Sequence, residues 1–348
     1  MGTLLDKPMT EKSTETEKGP DGVEFGVSSM QGWRVDMEDT HTIVANMEGL
    51  EGHSFVAVYD GHGGDACAIY AGEHMMRHIR ETPQFNEYLE SEEKDTKLLE
   101  RAVHKAFLDA DRGFKLDQDS SKDGDRSGCT AVVAFVTPTH IVLAHAGDSR
   151  AVLASGDKIA ASTRDHKPYD PKERERIERA RGVVSMKRVD GDLAVSRALG
   201  DFQYKDEDLP PERCKVTAVP DTCSIRRSPS DDEFLIVACD GIWDVMTDEE
   251  CARTIRQIFL DGESDLGTVC EEILDECLSQ GSRDNMSAVL VTFPGLKRGS
   301  PGGGVQERRR QRDMDGSDDG FSEKLPQEEG TEAVAQVVEA ALEEASSA

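Results

Sequence analysis

Basic residues are scarce in this chain of 348 residues: 41 Lys and Arg face 70 Asp and Glu, a formal net charge of −29. That imbalance argues against nonspecific binding to nucleic acid or to an anionic membrane surface, so no nucleic-acid partner is expected. No apolar run approaches the ~20 residues that span a bilayer. The N-terminal stretch is polar and lacks a secretory signal. None of the eight cysteines forms a Cys-x-x-Cys pair, which removes zinc-ribbon and thioredoxin-like readings. They read instead as reduced, buried thiols, as with Cys239 inside the apolar run from Phe234. No Asp-x-Asp-x-Asp-Gly loop with a glutamate at its twelfth position occurs, which sets aside a Ca²⁺-binding interaction protein.

What is present divides the chain in three. Residues 1–22 are polar and read as a flexible segment. Residues 23–294 alternate apolar strand-like runs with amphipathic stretches. Residues 295–348 read as a mostly disordered acidic tail, with a short helix over 331–345 that carries Val334, Val337, Val338 and Leu342 on one side. Short β-branched runs at 55–59, 130–136, 141–146, 151–154, 234–239 and 286–293 predict strands. Helices are predicted over 65–80, 94–115, 171–181, 248–260 and 266–280. Asp170 before Pro171 and the Thr247/Glu250 capping box mark two of their starts. Consecutive strands mixed with long helices favour packed sheets covered by helices over a strict βαβ repeat.

One local pattern recurs. The run Phe55–Tyr59 ends in Asp60-Gly61-His62-Gly63-Gly64, the run Phe234–Cys239 ends in Asp240-Gly241-Ile242-Trp243-Asp244, and the run Ile141–Ala146 ends in Gly147-Asp148-Ser149-Arg150. An aspartate where an apolar strand stops is held by a rigid element while its carboxylate reaches a cleft. The neighbouring glycines allow close backbone approach. Three such carboxylates, with Asp284 before the last strand as a fourth, suit an oxygen-only site for Mg²⁺ or Mn²⁺. His62, between glycines beside Asp60, is a candidate proton donor. Arg34, four residues before Glu38-Asp39, is a candidate phosphoryl clamp through its planar fork of donors. Glu38 and Asp39 would orient water.

Taken together, Gln31–Asp39, Asp60–Gly64, Ser127–Thr130, Ala146–Arg150, Asp165–Pro168, Leu193–Asp201, Cys239–Asp244 and Ser282–Asn285 resemble, in order, the signature blocks of the protein phosphatase 2C type, the metal-dependent PPM family, over roughly residues 22–294. The resemblance implies an α+β fold: a central antiparallel β-sandwich flanked by helices on both faces, in α/β/β/α layers. It implies two Mg²⁺ or Mn²⁺ ions per subunit, with Asp60 shared between them, the Gly61 carbonyl on one, and Asp240 and Asp284 completing the other. Glu38 would act through water, with Asp39 in support. Asp148 and Asp244 match the positions that hold a weaker third metal in some members. Arg34 would bind phosphate and His62 would be the general acid. Residues between Lys167 and Asp190 align with a flap beside the site.

The function implied is hydrolysis of phosphoserine and phosphothreonine by water activated at the binuclear centre, in a monomer whose partners are phosphoprotein substrates. A cysteine-based mechanism, which needs a Cys-x5-Arg loop, is set aside. The alternative class is a catalytically inactive relative acting as a regulatory binding module. Its expected signature, loss of the metal aspartates or the phosphate arginine, is not found. Gly2 is a candidate for myristoylation, weakened by Asp6 where a hydroxyl residue is usual, and a single acyl chain gives only marginal membrane binding. A cytoplasmic protein is expected, with Arg308–Arg312 motivating a nuclear pool.

Overall fold

A computed structural model describes residues 4–120, 125–300 and 304–316. The candidate acyl site at Gly2 and the expected helix over 331–345 lie outside the described residues. Two antiparallel sheets carry the architecture. One has six strands in the order β1 (Leu4–Lys18), β2 (Glu24–Arg34), β16 (Met286–Thr292), β15 (Asp232–Ala238), β9 (Arg150–Ser155) and β10 (Lys158–Ser162). The other has five, in the order β14 (Asp221–Arg226), β8 (His140–Ala146), β7 (Ala131–Val136), β4 (Ser54–Tyr59) and β3 (Thr40–Val44).

The central strands are apolar on both faces because each face meets a different layer. On β15, Leu235 and Val237 point between the sheets, where they join Val56, Val58, Val132, Leu143 and Val289. Phe234, Ile236 and Ala238 point the other way, onto α6 (Asp248–Leu260) and α7 (Leu266–Ser279), with Ile255, Phe259, Val269 and Ile273. On β4 the same alternation places Phe55, Ala57 and Tyr59 under α1 (Ala66–Arg80), α2 (Pro83–Glu90) and α3 (Thr96–Ser120), against Met75, Phe85 and Phe107. Period-two alternation with both sides buried yields the α/β/β/α layers. Complete burial of each such aliphatic side chain contributes about 1.5–3 kcal/mol.

Local signals hold where they were specific. Thr247 caps α6, and the Glu250 carboxylate returns to the Thr247 N–H at 3.0 Å, completing the capping box. Asp170 stands at the N-cap of α4 (Pro171–Arg179) without a side-chain capping bond. The stretch around α4, with the two-residue strands β11 (Val184–Ser185) and β12 (Arg188–Val189), has a small core of its own: Ile177, Val189, Val195, Ala198, Tyr204 and Val216. Beneath it the buried Glu173 carboxylate accepts from Arg176 at 2.6 Å, Arg197 at 2.8 Å and Ser196 at 2.7 Å. These partners outweigh burial and hold its carboxyl down at about 2.

Two boundaries differ from the sequence expectation. Residues 4–18, read as flexible, form β1 and pair with β2. The strand is polar because it closes a sheet edge and its residues are mostly exposed. Its hold is the backbone ladder, plus Lys12 to Asp275 at 2.6 Å and Thr14 to Glu271 at 3.0 Å on α7. At the other end, the compact unit runs through Val305 rather than stopping at 294. Leu296 is buried, and Lys297 and Arg298 pair with Asp157 and Glu24. Residues 304–316, read as disordered, form α8 (Gly304–Gly316). Its Gln, Glu and Arg residues are good helix formers even without an apolar stripe.

Candidate metal centre

The predicted site residues gather at one end of the sandwich, from both sheets. Asp60 and Gly61 follow β4. Asp240 opens the short α5 (Asp240–Trp243), one residue past β15, and Asp244 caps its C-terminal end. Asp284 precedes β16, Arg34 ends β2, Glu38 and Asp39 lie between β2 and β3, and Asp148 sits in the turn from β8 to β9.

Glycines make the convergence possible. A Cβ on Gly241 would lie 2.0 Å from the Asn285 carbonyl oxygen, and one on Gly61 would lie 2.4 Å from that of Glu38. Asn285 holds the arginine-bearing segment against β16. Its amide donates to the Gln31 and Asp36 carbonyls at 2.8 and 3.0 Å, and its oxygen accepts from the Glu38 N–H at 2.9 Å. The sequence reading gave Asn285 no role, although it directly follows Asp284.

Arg34 donates to Asp284 Oδ2 at 2.5 Å, while Asp284 Oδ1 accepts from the Asn285 N–H at 2.7 Å. Glu38 accepts from the Gly64 N–H at 2.6 Å, which ties it to the loop carrying His62. Lys167 donates to Asp148 Oδ2 at 2.6 Å.

The electrostatics are those of crowded carboxylates. Burial raises Asp60, and Asp240, Asp39, Asp148 and Asp284 raise it further, well above the usual range. Asp240 is raised well above the usual range in the same way, by burial and then by Asp148, Asp284 and Asp244. Burial pushes Asp39 up to about 6, with the nearby polar groups of Ser287 and Cys239 acting the other way, and its Oδ2 is buried without a partner. Asp244 is raised too, first by burial. Mutual repulsion plus an orphaned buried oxygen is what a site for a hard cation presents when judged by its own groups. The donor set, carboxylate oxygens converging at Asp60 and Asp240, fits a hard divalent cation.

Donor atoms of Asp39, Asp60 and Cys239 also lie within 4.8 Å of one another. Cys239 is a poor ligand for a hard cation. Burial, then Asp39, Asp60 and Asp240, raise its thiol well above the ordinary value, and its sulfur already accepts the Ser287 N–H at 3.1 Å. It packs beneath the acids as a neutral thiol.

One exclusion needs correcting: Cys277-x5-Arg283 does satisfy the cysteine-phosphatase spacing. Cys277 is buried in α7 with its sulfur 3.4 Å from Met246 Sδ, and burial raises its thiol. It is a packed core residue on a helix, without the loop that would cradle a phosphoryl group.

His62 lies on the two-residue strand β5 (Gly61–His62), which pairs with β6 (Gly128–Cys129), which in turn pairs with β13 (Leu199–Gly200). This patch brings in a residue to which the sequence reading assigned no function: Asp201 Oδ2 lies 2.6 Å from His62 Nε2. Burial would lower the imidazole, but Asp201, with Asp148 and Glu38 behind it, carries it above its ordinary value. The only signal in the sequence was that Asp201 ends one of the family-like blocks.

A layered antiparallel sandwich with an acidic cluster at one end, an arginine beside it and a histidine–aspartate pair at its rim defines a class. The family profile described as protein phosphatase 2C matches residues 23–286. The chain belongs to that family. It is 45% identical over 306 residues to protein phosphatase ppm-1.A of Caenorhabditis elegans, an alignment spanning 84% of this chain and 64% of the nematode protein. It is 44% identical over 303 residues to human protein phosphatase 1A, spanning 86% and 78% of the two chains. A solved phosphatase from a pathogenic strain of Toxoplasma gondii shares the fold at TM-score 0.68 and 25% identity, covering 81% of this chain and 96% of that one.

Proposed function

We propose that this chain is a metal-dependent protein phosphatase that hydrolyses phosphoserine and phosphothreonine. The observation that carries the reading is the convergence of Asp60, Asp240 and Asp284 from two sheets beside Arg34, in a chain of this family. Asp60, the Gly61 carbonyl, Asp240 and Asp284 would hold two Mg²⁺ or Mn²⁺ ions, and Asp244, with Asp148 where Lys167 shares it, would hold a weaker third. Cations bound there would lower the pKa of water towards neutrality and offset charge on phosphoryl oxygens.

The chain's own residues supply the rest. Arg34 grips the phosphoryl oxygens through donors left free by its single bond to Asp284, and that bond fixes the direction of the guanidinium. Asp284 retains acceptor capacity, since a carboxylate offers about four lone-pair sites. Glu38, anchored by the Gly64 N–H, and Asp39, with its unpartnered Oδ2, orient water and the neighbouring acids. His62 donates a proton to the departing serine or threonine oxygen, a poor leaving group as an alkoxide.

The test is hydrolysis of a phosphoserine peptide by the full chain, with EDTA and then with added Mg²⁺ or Mn²⁺. Activity should vanish with chelator and return with cation. Full turnover in excess chelator refutes the reading.

A further inference from the structure

We propose that Asp201 is the positioning residue for His62, fixing which ring nitrogen meets the leaving group. The inference rests on the reading of His62 as proton donor. An ionised carboxylate only accepts hydrogen bonds, so at 2.6 Å the His62 Nε2–H donates to Asp201. That commits Nε2. Nδ1 is the nitrogen left to hand a proton to the serine or threonine oxygen: its N–H bond breaks as the new O–H bond forms and the P–O bond opens. Nε2 keeps its own proton throughout, held in the hydrogen bond to Asp201, which is not consumed.

The fold is built for this pairing. Register pairs His62 with Gly128 and Gly128 with Gly200, so the residue after Gly200 arrives beside the imidazole. Asp201 takes a left-handed backbone conformation, φ 50°, uncommon outside glycine though aspartate is among the residues that tolerate it. Its N–H is held by the Ser127 carbonyl at 3.2 Å, and its side chain is buried while that of His62 is partly open. Between the two lies Gly128. A Cβ there would sit 2.3 Å from Asp201 Oδ2 and 2.6 Å from His62 Nε2. The close approach of the pair over β6 requires glycine at that position.

The experiment uses the full chain with saturating Mn²⁺ and two substrates, a phosphoserine peptide and p-nitrophenyl phosphate, whose phenolate leaves without protonation. His62→Gln sets the scale, because general acids contribute about 10²–10⁴-fold. Asp201→Ala should slow kcat on the peptide at least ~10-fold and barely affect the aryl ester. Asp201→Asn, which keeps an acceptor oxygen in place, should restore part of the loss. Adding Asp201→Ala to His62→Gln should cost nothing further, since a residue acting only through His62 has no effect once it is gone.

If Asp201→Ala fails to fold, the near-isosteric Asp201→Asn carries the same cycle: its partial loss must disappear on the His62→Gln background. Equal slowing of both substrates, or losses that multiply in the double variant, overturns the proposal. If His62→Gln itself lacks leaving-group selectivity, the acid role of His62 fails, and with it the role of Asp201. If the wild-type chain turns over without cation, the metal-dependent reading fails instead.

Discussion

Lys167 Nζ donates to Asp148 Oδ2 at 2.6 Å, placing a fixed positive charge among the acids of the centre. Burial would lower the lysine, but Asp148, then Asp240 and Asp165, carry it above its usual range. The ammonium therefore occupies Asp148 as a cation would. Removing it should free the carboxylate. In the Lys167→Met variant, the weakest step of a calorimetric Mn²⁺ titration should shift to about tenfold lower concentration, which is 1.4 kcal/mol. An unchanged titration would show that Lys167 does not compete with cation.

Asp60→Asn removes one buried carboxyl from a group of acids that raise one another. In EDTA the variant should melt above the wild type, because repulsion is relieved. The stabilisation that Mn²⁺ gives the wild type, ~2.7 kcal/mol at a hundredfold excess over Kd, should largely vanish, along with activity. Thermal melts with and without cation check both signs. A variant that melts lower in EDTA would show that Asp60 is stabilised by partners other than metal.

Arg34→Ala should slow the phosphoserine peptide and p-nitrophenyl phosphate alike, by roughly 10²–10³-fold, because both present the same phosphoryl group. Parallel kinetics on the two substrates suffice. A loss confined to the peptide would move Arg34 from phosphoryl binding to peptide binding.

His145 is buried on β8, stacked on His166 with ring centres 4.5 Å apart, and bonded through Nε2 to the Arg164 carbonyl at 2.8 Å. Burial, then the neighbouring His166, push it down from 6.5 to about 4. Between those values the unfolded chain binds a proton there that the folded chain does not. Stability should therefore fall as pH drops from about 6.5 to about 4, by on the order of 3 kcal/mol. Urea melts across that range should show the slope, and His145→Gln should flatten it. An equal slope in the variant assigns the acid sensitivity elsewhere.

Deleting residues 4–18 should lower the melting temperature and promote association, since β2 would become an open edge and Lys12 and Thr14 would leave α7. Light scattering on heating checks this. A truncated chain that melts like the parent would make β1 dispensable.

Much of this was readable in the sequence because it is local. The runs ending at Asp60 and Asp240 show strand, turn and acid in ten residues, and the Thr247/Glu250 box needs only one helical turn. β1 was not readable: its Thr, Ser, Lys and Glu residues carry no apolar alternation, and the neighbouring β2 supplies the reason for the strand. Asp201 was placed in a family-like block without a role, because its partner lies 139 residues away and is chosen by a patch of two-residue strands. The spacing at Cys277 shows the converse hazard. A count along the chain matched a phosphatase pattern that a buried helix makes inert.

The acids of the centre are split between the two sheets, Asp60 on one and Asp240 and Asp284 on the other. Their spacing is therefore set by how the sheets lie against each other, through the interlayer contacts of Val58, Val237 and Val289. A slide of one sheet over the other that preserved every strand and every hydrogen-bond ladder would still disperse the site. The centre acts as a gauge of interlayer alignment. Cation affinity should therefore respond to repacking deep between the sheets, at residues that touch neither ion nor substrate, before the fold itself gives way.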